Sequence, residues 1–196
     1  MLSAGNSKRI CFIFLAVLGL QGCMNVASTG AQAIYNRHSL QKNLNDQYLS
    51  MQVSHELFFA TKEFKDTNIT ITTYNSEVLL AGQVPEAWQK KKAGEIARRV
   101  DGVKDVYNTI TVASPSSALT KVSDAWITGK IKAKLLACND VDATQIKVVT
   151  ENGTVYLIGT LPPDEAQAAI DIASNTDGVQ RVVRMFSYIH ISKRLS

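Results

Sequence analysis

Apolar positions recur along this chain in two rhythms, one helical and one strand-like, and both rhythms occur twice. Leu49, Val53 and Leu57 stand at i, i+4 and i+8, as do Ile127, Ile131 and Leu135, so each trio predicts one buried helix face. After each helix come two strand-like runs around a polar turn, ITITTYNSEVLLAGQVP over 69–85 and IKVVTENGTVYLIGTLP over 146–162. Asn152-Gly153 is a strong hairpin signal because both central residues of a type I′ turn take positive φ, and Asn75-Ser76 serves the same purpose less well. Gly82 and Gly159 are expected to end the second strand. Pro85, or Pro162 and Pro163, should open a second helix, with Gly102 and Gly178 at its C′ position. A last strand is expected over 106–112 and 182–191.

The two passes superpose. NDQYLSMQVSHELFFA lies over SDAWITGKIKAKLLAC, so Asp46 falls on Asp124 and Tyr48 on Trp126. The strand blocks align Val78, Leu80, Gly82 and Pro85 with Val155, Leu157, Gly159 and Pro162, and VDGVKDVYNTI lies over TDGVQRVVRMF. Three blocks in register make the chain two copies of one α-β-β-α-β unit. The expected class is α+β, with two helices of each unit on one face of a three-stranded sheet. The units are placed at 45–113 and 121–192, joined by a Ser/Pro linker over 114–120. Units this small lie near the lower limit for independent folding, which favours docking of one on the other.

The beginning of the chain carries an address. Lys8 and Arg9 precede the apolar run ICFIFLAVLGL, which is too short for a spanning helix and suits a secretory signal. The run ends at Leu20-Gln21-Gly22-Cys23, which resembles a bacterial lipobox with small Gly22 before the thiol of Cys23. Residues 1–22 are therefore read as a lipoprotein signal peptide. Residues 23–44 are read as a lipidated end and tether, partly helical near its close. Met24 follows the cysteine, where Asp would resemble an inner-membrane retention signal, so the expected address is the periplasmic face of the outer membrane. A covalent lipid on Cys23 is the only group of this kind expected, with no other cofactor. It would leave Cys138 as the remaining thiol, a half-buried residue at the end of a helical pattern.

Charge adds little. Lys+Arg 21 against Asp+Glu 17 gives +4, and loss of Lys8 and Arg9 with the signal leaves about +2. Such a balance does not argue for nucleic acid as a partner, which calls for a concentrated basic face.

The order of elements, the V-x-L-x-G-x-V strand and the D-G-V before the last strand resemble the BON domain. The whole chain after the tether resembles outer-membrane lipoproteins with two such domains, and SDAWITGK at 123–130 carries the likeness well, with Ser123 where Asn is usual. The resemblance implies membrane and phospholipid binding without enzymatic activity. It also implies support of outer-membrane integrity and association with barrel-assembly or division-site proteins.

The copies differ outside their shared core. Trp126, Lys130 and Lys134 follow at i, i+4 and i+8 on the flank of their helix, away from the core centre, where the first copy has Tyr48, Gln52 and Glu56. Indole favours the headgroup zone of a bilayer. A lysine near an anionic surface contributes about 1 kcal/mol. Trp126, Lys130 and Lys134 are thus the candidate phospholipid-binding residues, with Lys121 or Lys132 assisting. Weak contact suffices once a tether raises local concentration. The competing reading makes Trp126 a partly buried helix-start residue and the lysines a solvated face. Exchange of Lys130 and Lys134 for Glu is expected to leave the fold intact. The basic stretch QKKKAGEIARR over 89–99 reads as a solubilising exterior or a partner site.

No catalytic or metal-ligating spacing is present. His38 lies near the tether, His190 lies in the last strand, and His55 and Glu56 are helix neighbours expected to point apart. Two nonenzymatic functions stand: a reader of anionic phospholipid, or a protein-interaction adaptor of an outer-membrane assembly.

Overall fold

The structure is a computed structural model that describes residues 30–60 and 62–189, with side chains from residue 41 onward. The expected signal, Cys23 and His190 lie outside the described residues. The first unit comprises α1 (Gly30–Phe58), β1 (Asn68–Tyr74), β2 (Glu77–Val84), α2 (Ala87–Arg99), β3 (Asp105–Asn108) and β4 (Thr111–Val112). The second comprises α3 (Ala118–Ala137), a 3-10 turn (Ala143–Gln145), β5 (Ile146–Glu151), β6 (Thr154–Leu161), α4 (Pro163–Ser174) and β7 (Arg181–Tyr188). The class is α+β, as the repeat implied. α1 begins at Gly30, so helix covers much of the expected tether.

In each sheet the second strand is central. It pairs antiparallel with the strand before it and parallel with the last strand, which a crossover helix delivers. The first sheet departs from the expected single last strand. Pairing breaks at Thr109 and Ile110, leaving β3 and β4 both on β2. Ile110 is buried there, and the Thr109 N–H and hydroxyl both donate to Leu80 O, at 2.8 and 2.9 Å.

Other corrections have a steric reason. Gly82 and Gly159 do not end their strands, which run on to Val84 and Leu161. A Cβ at Gly82 would lie 2.0 Å from Asn68 O, and one at Gly159 2.5 Å from Gln145 O. Both glycines admit the close approach of the neighbouring antiparallel strand's backbone rather than a stop. Pro163 does open α4, but α2 opens at Ala87 behind a Glu86–Gln89 capping box, with Pro85 outside the helix. Gly102 and Gly178, with φ near +92° and +93°, sit beyond the C′ position in the turn to the last strand.

One device pins both hairpins. Asp46 is buried on α1, and its carboxylate accepts from the N–H groups of Asn75 and Ser76, each at 2.9 Å. Asp124 on α3 does the same for Asn152 at 2.7 Å and Gly153 at 2.9 Å. All four turn residues have positive φ. The aligned aspartates thus tie each first helix to its hairpin by two charge-assisted bonds.

The sheets are covered on both faces. Val78, Leu80 and Val84 face α1 and α2, while Val155, Leu157 and Leu161 face α3 and α4. The alternate residues Leu79 and Ala81 meet Tyr156 and Ile158 in a separate cluster with Tyr74, Val149, Val183 and Met185. The units therefore dock sheet to sheet, in the layer order helices, sheet, sheet, helices. The rim of this seam is polar. Asn68 Nδ2, at 3.2 Å, and the Thr70 hydroxyl donate to the Glu151 carboxylate. Lys147 Nζ donates to Thr73 O and lies 5.9 Å over the Tyr74 ring. Burial pushes the Glu151 carboxyl above its ordinary range, and burial lowers the Lys147 ammonium.

Candidate functional site

The site grows from an early helix start. The Ser117 hydroxyl accepts from Thr120 N at 3.1 Å and caps α3, so the helix begins inside the segment expected as linker. The linker is itself fastened: Ser116 N and its hydroxyl donate to Gln83 Oε1, at 3.1 and 2.8 Å. The added turn places Leu119 and Val122 ahead of Trp126.

α3 has two apolar faces. Ile127, Ile131 and Leu135 fill the core of the second unit. On the opposite side Leu119, Val122, Trp126, Gly129, Ala133 and Leu136 recur at alternating steps of three and four, and all are exposed. Leu119 is 80 % and Trp126 69 % accessible, which excludes the reading of Trp126 as a partly buried residue. A Cβ on Gly129 would meet nothing within 4 Å, so this stripe is unpacked along its middle. Helical geometry sets Lys130 and Lys134 along one flank and Lys121 and Lys132 along the other. The single acidic residue of α3, Asp124, is turned inward to the hairpin. The outer face is therefore an apolar strip edged by cations on both sides with no carboxylate.

The lysines of the predicted trio have a second task. Lys130 Nζ donates to Asp177 O at 2.9 Å. Lys134 Nζ donates to Asn175 O at 3.3 Å and to the Thr176 hydroxyl at 3.0 Å. They bridge α3 to the end of α4, where unpaired carbonyls make the negative pole of the helix. Glu at both positions would set carboxylates against carbonyl oxygens. Lys130→Glu with Lys134→Glu, expected from the sequence to leave the fold intact, would remove these bonds between α3 and the end of α4. An ammonium has three donors, so each lysine keeps charge and hydrogen-bonding capacity toward solvent.

Sequence reasoning missed Leu119, Val122 and Leu136. The signal was a second helical period in α3, hidden because Leu119 and Val122 fell beside or within the assumed linker.

The matching face of α1 carries Leu44, Tyr48, Met51 and Phe58, all exposed. Its flanks hold Asn43, Ser54, Gln52 and Glu56, with no lysine. Gln52 Nε2 donates to the Tyr48 hydroxyl. His55 Nδ1 lies 3.5 Å from Glu56 Oε1, so these neighbours meet rather than point apart, and the His55 ring stacks on Phe59 at 5.9 Å. Between α1 and the end of α2 lies a groove of ≈ 400 Å³ lined by Tyr48, Gln52, Glu56, Ile96, Arg99, Val100 and Asp101.

Part of the basic stretch of α2 is spent locally. Lys92 pairs with Glu63, Lys91 lies 3.9 Å from Glu95, and buried Gln89 donates to Glu63 O at 2.8 Å. Among the described residues no three His, Cys, Asp or Glu side chains group to hold a metal ion. No described helix is long and apolar enough to cross a membrane.

The family model of the BON domain matches residues 45–114 and 123–189. The chain is similar to the outer membrane lipoprotein DolP of Haemophilus influenzae, 33 % identical over 187 residues, covering 93 % of this chain and 96 % of that protein. It is 37 % identical over 146 residues to the 21 kDa hemolysin of Actinobacillus pleuropneumoniae, covering 74 % and 75 % of the two chains. The osmotically-inducible protein Y of Escherichia coli is 35 % identical over 121 residues, 60 % of each chain.

Proposed function

The chain belongs to the BON-domain family, with two copies of the domain, and on that premise we propose that it is an outer-membrane lipoprotein, anchored through Cys23, whose second domain reads anionic phospholipid through the outer face of α3. The observation that carries this reading is the exposed strip Leu119–Val122–Trp126–Leu136, edged by Lys121, Lys130, Lys132 and Lys134 without a facing carboxylate. Such a helix lies in the plane of an interface, its apolar strip in the acyl boundary and its lysines reaching up to phosphates. The likeness to DolP supports the outer-membrane address. The indole of Trp126 anchors depth, and four lysines at about 1 kcal/mol each set a charge preference. Lipid on Cys23 supplies lasting attachment, and α3 supplies selectivity. The role is one of binding and supporting the outer membrane, not of catalysis.

The test is flotation of residues 24–196, which carry no lipid, with phosphatidylglycerol or phosphatidylcholine vesicles. Binding to the anionic vesicles alone, weakened by salt and lost in Trp126→Ala with Lys132→Glu, is the expected result. Equal flotation of the variant overturns it. Failure to float, with retrieval of one envelope protein by wild type and variant alike, selects the adaptor function instead.

A further inference from the structure

We propose that the groove between α1 and the end of α2 in the first domain receives the ammonium of a lysine side chain from a partner protein. The second domain supplies the template. There the same crevice is filled from within, as Lys130 and Lys134 reach from the first helix to the carbonyls of Asp177 and Asn175. The aligned residues of the first domain are Gln52 and Glu56, over Asp101 and Arg99. Neither can fill it. Gln52 turns its amide to the Tyr48 hydroxyl, and Glu56 is an acceptor like the carbonyls opposite. What remains is an open groove of ≈ 400 Å³.

Its walls suit a lysine along the whole side chain. Ile96, Val100 and the ring of Tyr48 offer apolar surface to the methylenes. Glu56, Asp101 and the negative end of α2 offer acceptors and field to the ammonium. Arg99 also lines the groove and opposes an incoming cation, which weakens occupancy, and the template's two lysines one helical turn apart set the spacing to test. The space exceeds what an ethanolamine headgroup needs, and the first helix lacks the cationic flanks that would lay this face on anionic lipid. Both points favour a protein segment over a lipid.

The experiment is an NMR titration of residues 24–196 with a blocked, alanine-based helical peptide carrying lysines at i and i+4. The controls are the same peptide with norleucine at both positions, and phosphatidylethanolamine vesicles. Saturable shifts at Gln52, Glu56, Ile96, Val100 and Asp101 are expected, with the norleucine peptide weaker by about tenfold or more. Gln52→Lys with Glu56→Lys should silence the response while copying a packing that the second domain already tolerates. Arg99→Ala should strengthen it. Equal responses to lysine and norleucine peptides, or no response in wild type and Arg99→Ala alike, overturn the proposal. Shifts produced by the vesicles alone overturn it in favour of a lipid headgroup.

Discussion

The two BON domains share a core, a hairpin clamp and even an exposed apolar strip on the first helix, yet their outer edges are chemically opposed. In the second domain the strip is bordered by four lysines, and two of them close the crevice at the end of the following helix. In the first, the strip is bordered by amide, hydroxyl and carboxylate groups, and the crevice stands open. The two copies keep what holds a domain together and differ along their outer edges. The proposed occupants follow that difference, an anionic surface for the one edge and a cationic side chain for the other.

The strongest way to break this comparison is through what the copies hold in common. Asp124→Ala leaves two backbone N–H groups of the hairpin without their acceptor, at a cost of about 3 kcal/mol. Asp46→Ala should cost as much, read as matched drops in urea midpoint. A large loss at one and none at the other would show that the clamp is not a shared device. Leu79→Ala, in the seam where the domains meet, should cost about 2–4 kcal/mol. The loss should exceed that of a solvent-face leucine such as Leu119→Ala, if the sheets stay docked in solution.

Next come the edges. Trp126→Ala should weaken binding to phosphatidylglycerol vesicles by about tenfold, because most of an inserted indole's apolar surface is lost. Tyr48→Ala should change it little. Equal losses would assign the membrane contact to both domains. Transplanting the lysines, as Gln52→Lys with Glu56→Lys, should stabilise the first domain by about 1 kcal/mol through the end of α2. Lys130→Gln with Lys134→Gln should cost the second domain a similar amount, both seen as shifts in melting temperature.

The smallest effect belongs to the polar rim of the seam. Burial raises the Glu151 carboxyl in the folded state, so the fold binds a proton more readily than the unfolded chain does. Stability from this group is present below the ordinary carboxylate pKa and is lost as pH rises through the raised folded value. Glu151→Gln should flatten that fall and be relatively more stable at pH 7 than at pH 4. The measurement is thermal unfolding of both proteins at the two pH values.

Much of the molecule was readable from one dimension. Periodicity located both helices and both hairpins because a buried helix face and a pleated strand impose their own spacing on the chain. The repeat register paired Asp46 with Asp124, and the wheel set Trp126 away from the centre of the core face. The residues that were misread depended on distant segments. Gly82 and Gly159 look like strand ends until the backbone at the start of the paired strand, at Asn68 and Gln145, is seen pressed against them. Lys130 and Lys134 look like a solvated flank until the end of α4 arrives beneath them, more than forty residues later in the chain. Leu79 and Tyr156 fall on strand faces that a single domain leaves open, and only the second sheet covers them. Local spacing thus determined the elements, their order and the duplication, since these follow from contacts within a few residues. Tertiary structure decided which face of each element is covered, which cation is spent on a carbonyl and which groove stays open, since each rests on atoms far apart in the chain that meet only in the folded molecule.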